Sequence, residues 1–161
     1  MSDSFIRLDR VSRTYRLGET TVPALREVSL ELHRGEFTAL VGPSGSGKST
    51  LLNMVGCIDA PDAGAVWIEG QDVAHLSDDD RSRLRNGKIG FIFQSFNLVP
   101  VLDVYENIEL PLLIHETIPV SERADRVMQA IRDVELEGHV RHLPDKLSGG
   151  QRQRVAMGRA I

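Results

Sequence analysis

The sequence predicts an α/β fold: a β-rich start, an α/β centre and a mostly helical stretch after Gln94. Three patterns carry that expectation. Up to Glu36 the apolar residues Ile6, Leu8 and Val11, then Val28, Leu30 and Leu32, recur every two or three positions, as in half-exposed strands. Phe37-Thr38-Ala39-Leu40-Val41, between Gly35 and Gly42, and Ile89-Gly90-Phe91-Ile92-Phe93 are short and nearly continuously apolar, as buried parallel strands are. Beyond Gln94 helical periodicity takes over, with Pro100, Pro111 and Pro119 as punctuation.

Taken in order, Lys48 to Ile58 reads as a helix with Leu51, Leu52 and Val55 on one face, broken by Pro61, Asp62 and Gly64. Ala65-Val66-Trp67-Ile68-Glu69 resumes as strand. Ser77 followed by Asp78, Asp79 and Asp80 resembles a helix start, with Ser77 as cap and acids in the first turn. Glu122 to Val134 is the clearest amphipathic helix, its apolar face made by Ala124, Val127, Met128, Ile131 and Val134.

At 161 residues and 41% hydrophobic, the chain is long enough for one sizeable core. Its parts are expected at 1–94 (β subdomain and core), 95–150 (helical subdomain) and 151–161 (a final helix). A net charge of −4 argues against nucleic acid as a partner, since phosphate-backbone binding needs a basic surface. The single cysteine, Cys57, allows no intrachain disulfide and fits a reducing compartment. Met1-Ser2-Asp3-Ser4-Phe5 shows no secretory signal, and no apolar run nears the roughly 18 residues that span a bilayer. A membrane role would thus have to come through another chain or through sequence outside these residues.

Two stretches carry chemistry. Gly42-Pro43-Ser44-Gly45-Ser46-Gly47-Lys48-Ser49-Thr50 has phosphate-loop spacing, between a predicted strand and a predicted helix. Its glycines let backbone N–H groups close round phosphate oxygens, and the helix start adds about half a positive charge. Lys48 is expected to reach β- and γ-phosphates, and the Ser49 hydroxyl to ligate Mg²⁺. In Leu147-Ser148-Gly149-Gly150-Gln151, Ser148 is a good N-cap and Gln151, three residues on, completes a capping box. The two glycines leave room for an anion to approach.

With both motifs in one chain, the sequence resembles the nucleotide-binding domain of ABC transporters over its whole length. The resemblance implies a P-loop ATPase fold with an antiparallel β subdomain and a helical subdomain. ATP and Mg²⁺ are the implied cofactors, with residues 42–50 at the phosphates, Tyr15 stacked on adenine, and Gln94 as the Q-loop glutamine near metal and attacking water. Ser148, Gly149, Gly150 and Gln151 are then the signature, facing nucleotide held by a second ATP-binding subunit in a head-to-tail dimer. A transmembrane permease is the other implied partner, which places the protein peripherally on the cytoplasmic face of the inner membrane. Asn53-Met54-Val55-Gly56-Cys57-Ile58-Asp59, the run from Gly90 to Leu98, and Glu106-Asn107-Ile108-Glu109-Leu110-Pro111-Leu112 resemble the lipoprotein-releasing and macrolide-export branch.

The same resemblance calls for a later strand ending Asp-Glu, pairing beside the phosphate-loop strand, and a switch histidine. Neither precedes Ile161, so a partial domain lacking part of its core sheet, able to bind ATP and poor at hydrolysis, is expected. Leu112-Leu113-Ile114-His115-Glu116 is rejected as a substitute, because it has no Asp before Glu116 and Pro111 precedes it. The competing classes are a soluble ABC module of translation or repair and a non-catalytic nucleotide-binding remnant; no heptad insertion separates the two motifs, which disfavours repair. The five histidines show no metal-ligand spacing, and Arg152, Arg154 and Arg159 read as the solvated face of the last helix.

Overall fold

The computed structural model describes residues 4–115 and 117–161. The chain divides into two compact units, one ending at Leu84 and one running Arg85–Ile161.

The first unit is built on a hairpin of β1 (Ser4–Leu17) and β2 (Thr20–His33), closed by Gly18 at φ 63°. Strand β3 (Ala63–Ile68) pairs antiparallel on the other side of β1, and the short β4 (Gln71–Asp72) follows, giving the order β2-β1-β3-β4. Ile6 and Leu8 alternate into the core, opposite Leu32 and Leu30 on β2 and Ile68 and Val66 on β3. The next buried residue is Val11, three positions on. The extra step is a bulge: Arg10 turns left-handed at φ 47°, and Glu27 on β2 does the same at φ 48°. Two serines stitch it, with Arg10 N–H donating to Ser29 Oγ at 3.0 Å and Glu27 N–H to Ser12 Oγ at 3.0 Å. Gly64 on β3, at φ 88°, lies so close to this kink that a Cβ would overlap the carbonyls of Asp9 and Arg10.

Helix α1 (Lys48–Val55) lies against β1 and β2 and buries Leu51 and Met54. The expected face is thus corrected: Leu52 is exposed, because the short helix turns Leu51 and Met54, three apart, toward the sheet. Cys57 is a buried free thiol. Helix α2 (Asp78–Lys88) starts as expected, its Ser77 hydroxyl accepting from Asp80 N–H at 3.2 Å.

In the second unit α3 (Val104–Leu113), α4 (Val120–Asp133) and α5 (Gly149–Ala160) surround a core of Val104, Ile108, Val127, Ile131, Val134, Leu136, Leu147 and Val155. Ala124, expected on the apolar face of α4, is exposed near the helix start. Residues 112 and 113 end a helix rather than form a strand, which agrees with their rejection as a hydrolytic motif; Glu116 lies outside the described residues.

Both predicted buried parallel strands require correction. Residues 37–41 and 89–93 form no strand, and among the described residues neither has a ladder partner. Phe37 is 95% and Val41 89% exposed. Apolar character marks what a segment would bury, but a parallel strand also needs a neighbour at its hydrogen-bonding edge. Phe91 and Phe93 stack instead on each other, 5.6 Å between centroids and 11° from parallel.

The core of the second unit yields a direct expectation. Ile131→Ala, at a fully buried site, should cost about 2–5 kcal/mol, read as a lower urea midpoint for the loss of helical circular dichroism.

Candidate functional site

The phosphate-loop residues follow exposed, irregular backbone at Val41 and turn through Gly45, φ 79°, and Gly47, φ 88°. Gly47 is the N-cap of α1, where an added Cβ would meet the Ala24 carbonyl oxygen at 2.5 Å; only glycine fits both the angle and the gap. Lys48 folds back across the loop, its Nζ donating to the carbonyls of Gly42 at 2.8 Å and Pro43 at 2.6 Å. Ser46 Oγ lies 3.4 Å from the same ammonium. Pro43, Ser44, Gly45, Ser46 and Ser49 are exposed, and Thr50 is half-buried.

The first turn of α1 has neither a side-chain cap nor an acidic residue. The other four helices differ. Helix α2 has Ser77 and three aspartates, α3 has a capping box from Asp103 and Glu106, α4 has Glu122, and α5 has a capping box from Ser148 and Gln151. The free N–H groups of α1, the lysine and the left-handed glycines together make a cationic, donor-rich helix start suited to an anion.

Tyr15, on β1, is half-buried. Its hydroxyl donates to Asp59 Oδ2 at 2.9 Å, and the Arg13 guanidinium sits 5.0 Å from its ring centroid. Arg13 in turn bridges Asp59 at 2.8 Å and Asp62 at 2.6 Å, so the ring is fixed by a charged network invisible in the sequence pattern.

The second unit holds the signature and Gln94. Both halves of the predicted capping box form: Gln151 N–H donates to Ser148 Oγ at 3.2 Å, and Ser148 N–H donates to Gln151 Oε1 at 2.8 Å. Nothing stands within 4 Å of a Cβ added at Gly149 or Gly150, so this end of α5 is open. With Gln151 Oε1 committed to Ser148, its Nε2 faces His139 Nε2 at 2.9 Å, and the histidine nitrogen accepts. Gln94 is exposed in a turn.

Sequence reasoning missed three supports. His139 steadies Gln151 from a position with no motif. Asn107, fully buried, accepts from Val99 N–H at 2.8 Å and donates to the carbonyls of Val99, Leu102 and Asp103, which pins the turn before α3. Arg159 is not on a solvated face: it donates to the carbonyls of Phe96 and Asn97, at 2.7 Å each, and burial works against its charge. Arg154 pairs with Glu135 at 3.3 Å, whereas Arg152 is exposed as expected.

Comparison with known proteins decides the family. The ABC transporter family model matches residues 25–161. The chain belongs to the ABC transporter family. It is 46% identical over 159 residues to the uncharacterized ABC transporter ATP-binding protein MJ0796 of Methanocaldococcus jannaschii, covering 97% of this chain and 68% of that one. A Thermotoga maritima ABC transporter ATP-binding protein is 49% identical over 151 residues, 94% of this chain and 64% of the relative. The macrolide export ATP-binding/permease protein MacB of Syntrophobacter fumaroxidans is 46% identical over 158 residues, 97% of this chain but 22% of that protein. The dimeric post-hydrolysis structure of MJ0796 bound to ADP and Pi superposes with a TM-score of 0.89 at 45% identity, covering 97% of this chain and 68% of that one. The chain thus spans about two thirds of the length of such ATP-binding relatives, and its fold is that of an ABC ATP-binding cassette.

Two substitutions probe the local geometry. Ser148→Ala should lower stability by about 1 kcal/mol through loss of the cap. Gly47→Ala should cost at least about 2 kcal/mol, from the left-handed angle and the overlap with Ala24. Urea unfolding of each variant against wild type checks both values.

Proposed function

We propose that this chain is the ATP-binding part of a transport ATPase that powers export or lipoprotein release at a membrane. The observation that carries the reading is the uncapped, acid-free start of α1 behind Gly45 and Gly47, with Lys48 held over the loop. Such a start leaves donors that a polyphosphate satisfies, whereas α2, α3 and α5 are capped by their own side chains and α4 carries Glu122 in its first turn.

Residues 42–50 would hold the phosphates, with Lys48 leaving its loop carbonyls for the β- and γ-oxygens. Tyr15, steadied by Asp59 and Arg13, would offer its ring to the adenine. Among the described residues no group of three His, Cys, Asp or Glu side chains could hold a metal ion, so a cation here would rest largely on the nucleotide's own oxygens. The Ser49 hydroxyl and Gln94 amide are hard oxygen donors that suit Mg²⁺, which supplies neutralisation of phosphate charge. Ser148, Gly149, Gly150 and Gln151 would face nucleotide on a second subunit in a head-to-tail dimer. The dimeric relative with ADP and Pi and the permease-fused MacB support that arrangement and a membrane partner. No helix among the described residues is long and apolar enough to cross a membrane, and a peripheral place on the cytoplasmic face is part of the proposal. So is the division of labour between a β subdomain with the phosphate loop (1–94), a helical subdomain (95–150) and the helix after the signature (151–161).

Residues 1–161 hold no apolar strand ending Asp-Glu, so by themselves they should bind ATP and turn it over poorly. Lys48→Ala should weaken ATP binding by roughly 10- to 100-fold in titration calorimetry, the range of a lost charge-assisted bond. Unchanged affinity would refute the phosphate-loop assignment. Magnesium-dependent turnover at an ordinary enzymatic rate by the 161-residue chain would refute the second expectation, and a phosphate-release assay decides it.

A further inference from the structure

Arg159 occupies the last turn of α5, the helix that begins at the Ser148 cap. Its Nη1 and Nη2 donate to two consecutive carbonyls, Asn97 and Phe96, both at 2.7 Å. Those residues stand just beyond Gln94, and each is left-handed, Phe96 at φ 62° and Asn97 at φ 48°. Two successive non-glycine residues in that region carry strain that something outside the loop must offset. Among the described residues the loop contributes only short local bonds of its own: Phe96 N–H to the Phe93 carbonyl, Asn97 N–H to the Ser95 carbonyl, and Ser95 Oγ to Asn97 Oδ1.

Arg159 has no ion pair among the described residues, and burial alone moves its pKa downward. A guanidinium placed among carbonyls rather than beside an acid spends its fork on geometry. On the other side of Gln94, Gly90 fits so tightly that an added Cβ would overlap the Ala160 carbonyl oxygen. The end of α5 therefore grips the chain both before and after Gln94.

We infer that Arg159 is a positioning residue, a two-pronged clamp that locks the Gln94 loop to the far end of the signature helix, so that Gln94 and the Ser148–Gln151 cap move as one body. The inference rests on the roles proposed above for Gln94 and the signature, but the clamp itself is testable without nucleotide. Amide hydrogen exchange of the full chain, free of ATP, is the readout, in wild type, Arg159→Met and Arg159→Lys. Arg159→Met keeps the stem and removes the donors. It should speed exchange at the Phe96 and Asn97 amides roughly tenfold or more, while Val155 and Ala156 in the body of α5 keep their protection. Arg159→Lys, with one point donor in place of a fork, should recover part of the protection. Unchanged loop exchange in Arg159→Met would overturn the clamp. So would faster exchange spread evenly over α3, α4 and α5, because Arg159 would then be holding the bundle rather than the loop. ATP affinity in Lys48→Ala tests the nucleotide reading separately, and either result can fail without the other.

Discussion

A helix start presents backbone N–H groups that its own turns cannot satisfy, and the candidate site of this chain depends on how that demand is met. In the second unit α3 and α5 meet it internally. Asp103 with Glu106, and Ser148 with Gln151, close reciprocal boxes, and the buried Asn107 extends the first of them into the preceding turn. In the first unit α1 keeps its demand open, because Gly47 supplies shape without an oxygen and the first turn carries no acid. The phosphate role proposed for α1 rests on that difference from its neighbours.

Much of this was legible in sequence because it is local. Glycine spacing before Lys48, serine and glutamine three apart, and period-two alternation in the hairpin each reflect backbone geometry set within a few residues along the chain. The step of three between Leu8 and Val11 was visible too, although its cause, a bulge stitched by Ser12 and Ser29, needs the partner strand. What escaped was non-local. The ring of Tyr15 is held by Asp59, 44 positions away, and the loop after Gln94 by Arg159, more than 60 positions away. An arginine in a helix with a polar stripe carries no mark that distinguishes a solvated cation from a clamp. Residues 37–41 and 89–93 erred in the other direction: their composition is that of strand cores, yet hydrophobicity cannot create a hydrogen-bonding neighbour.

The two ends of α5 have different mechanical characters. At Ser148 the helix is open, capped by short reciprocal bonds and steadied from one side by His139. At Arg159 and Ala160 it is closed against the chain on both sides of Gln94. Between them Gly158 lets α5 approach α3 closely, since a Cβ there would meet Ile108 Cδ1 at 3.0 Å. A short helix so seated is held at both ends and close to α3 between them.

Gly64 has a bearing on how the first sheet finds its alignment. Strands that alternate apolar and polar residues can mispair by two positions and still bury the same face. Here the kink at Arg10 brings two carbonyls against β3 at a place where only a residue without a side chain fits. Slid by two, β3 would bring Asp62 or Val66 to that place and drive a Cβ into backbone oxygen. The bulge and its glycine thus work as lock and key, and the one permitted pairing is selected by excluded volume where hydrophobicity alone would leave a choice.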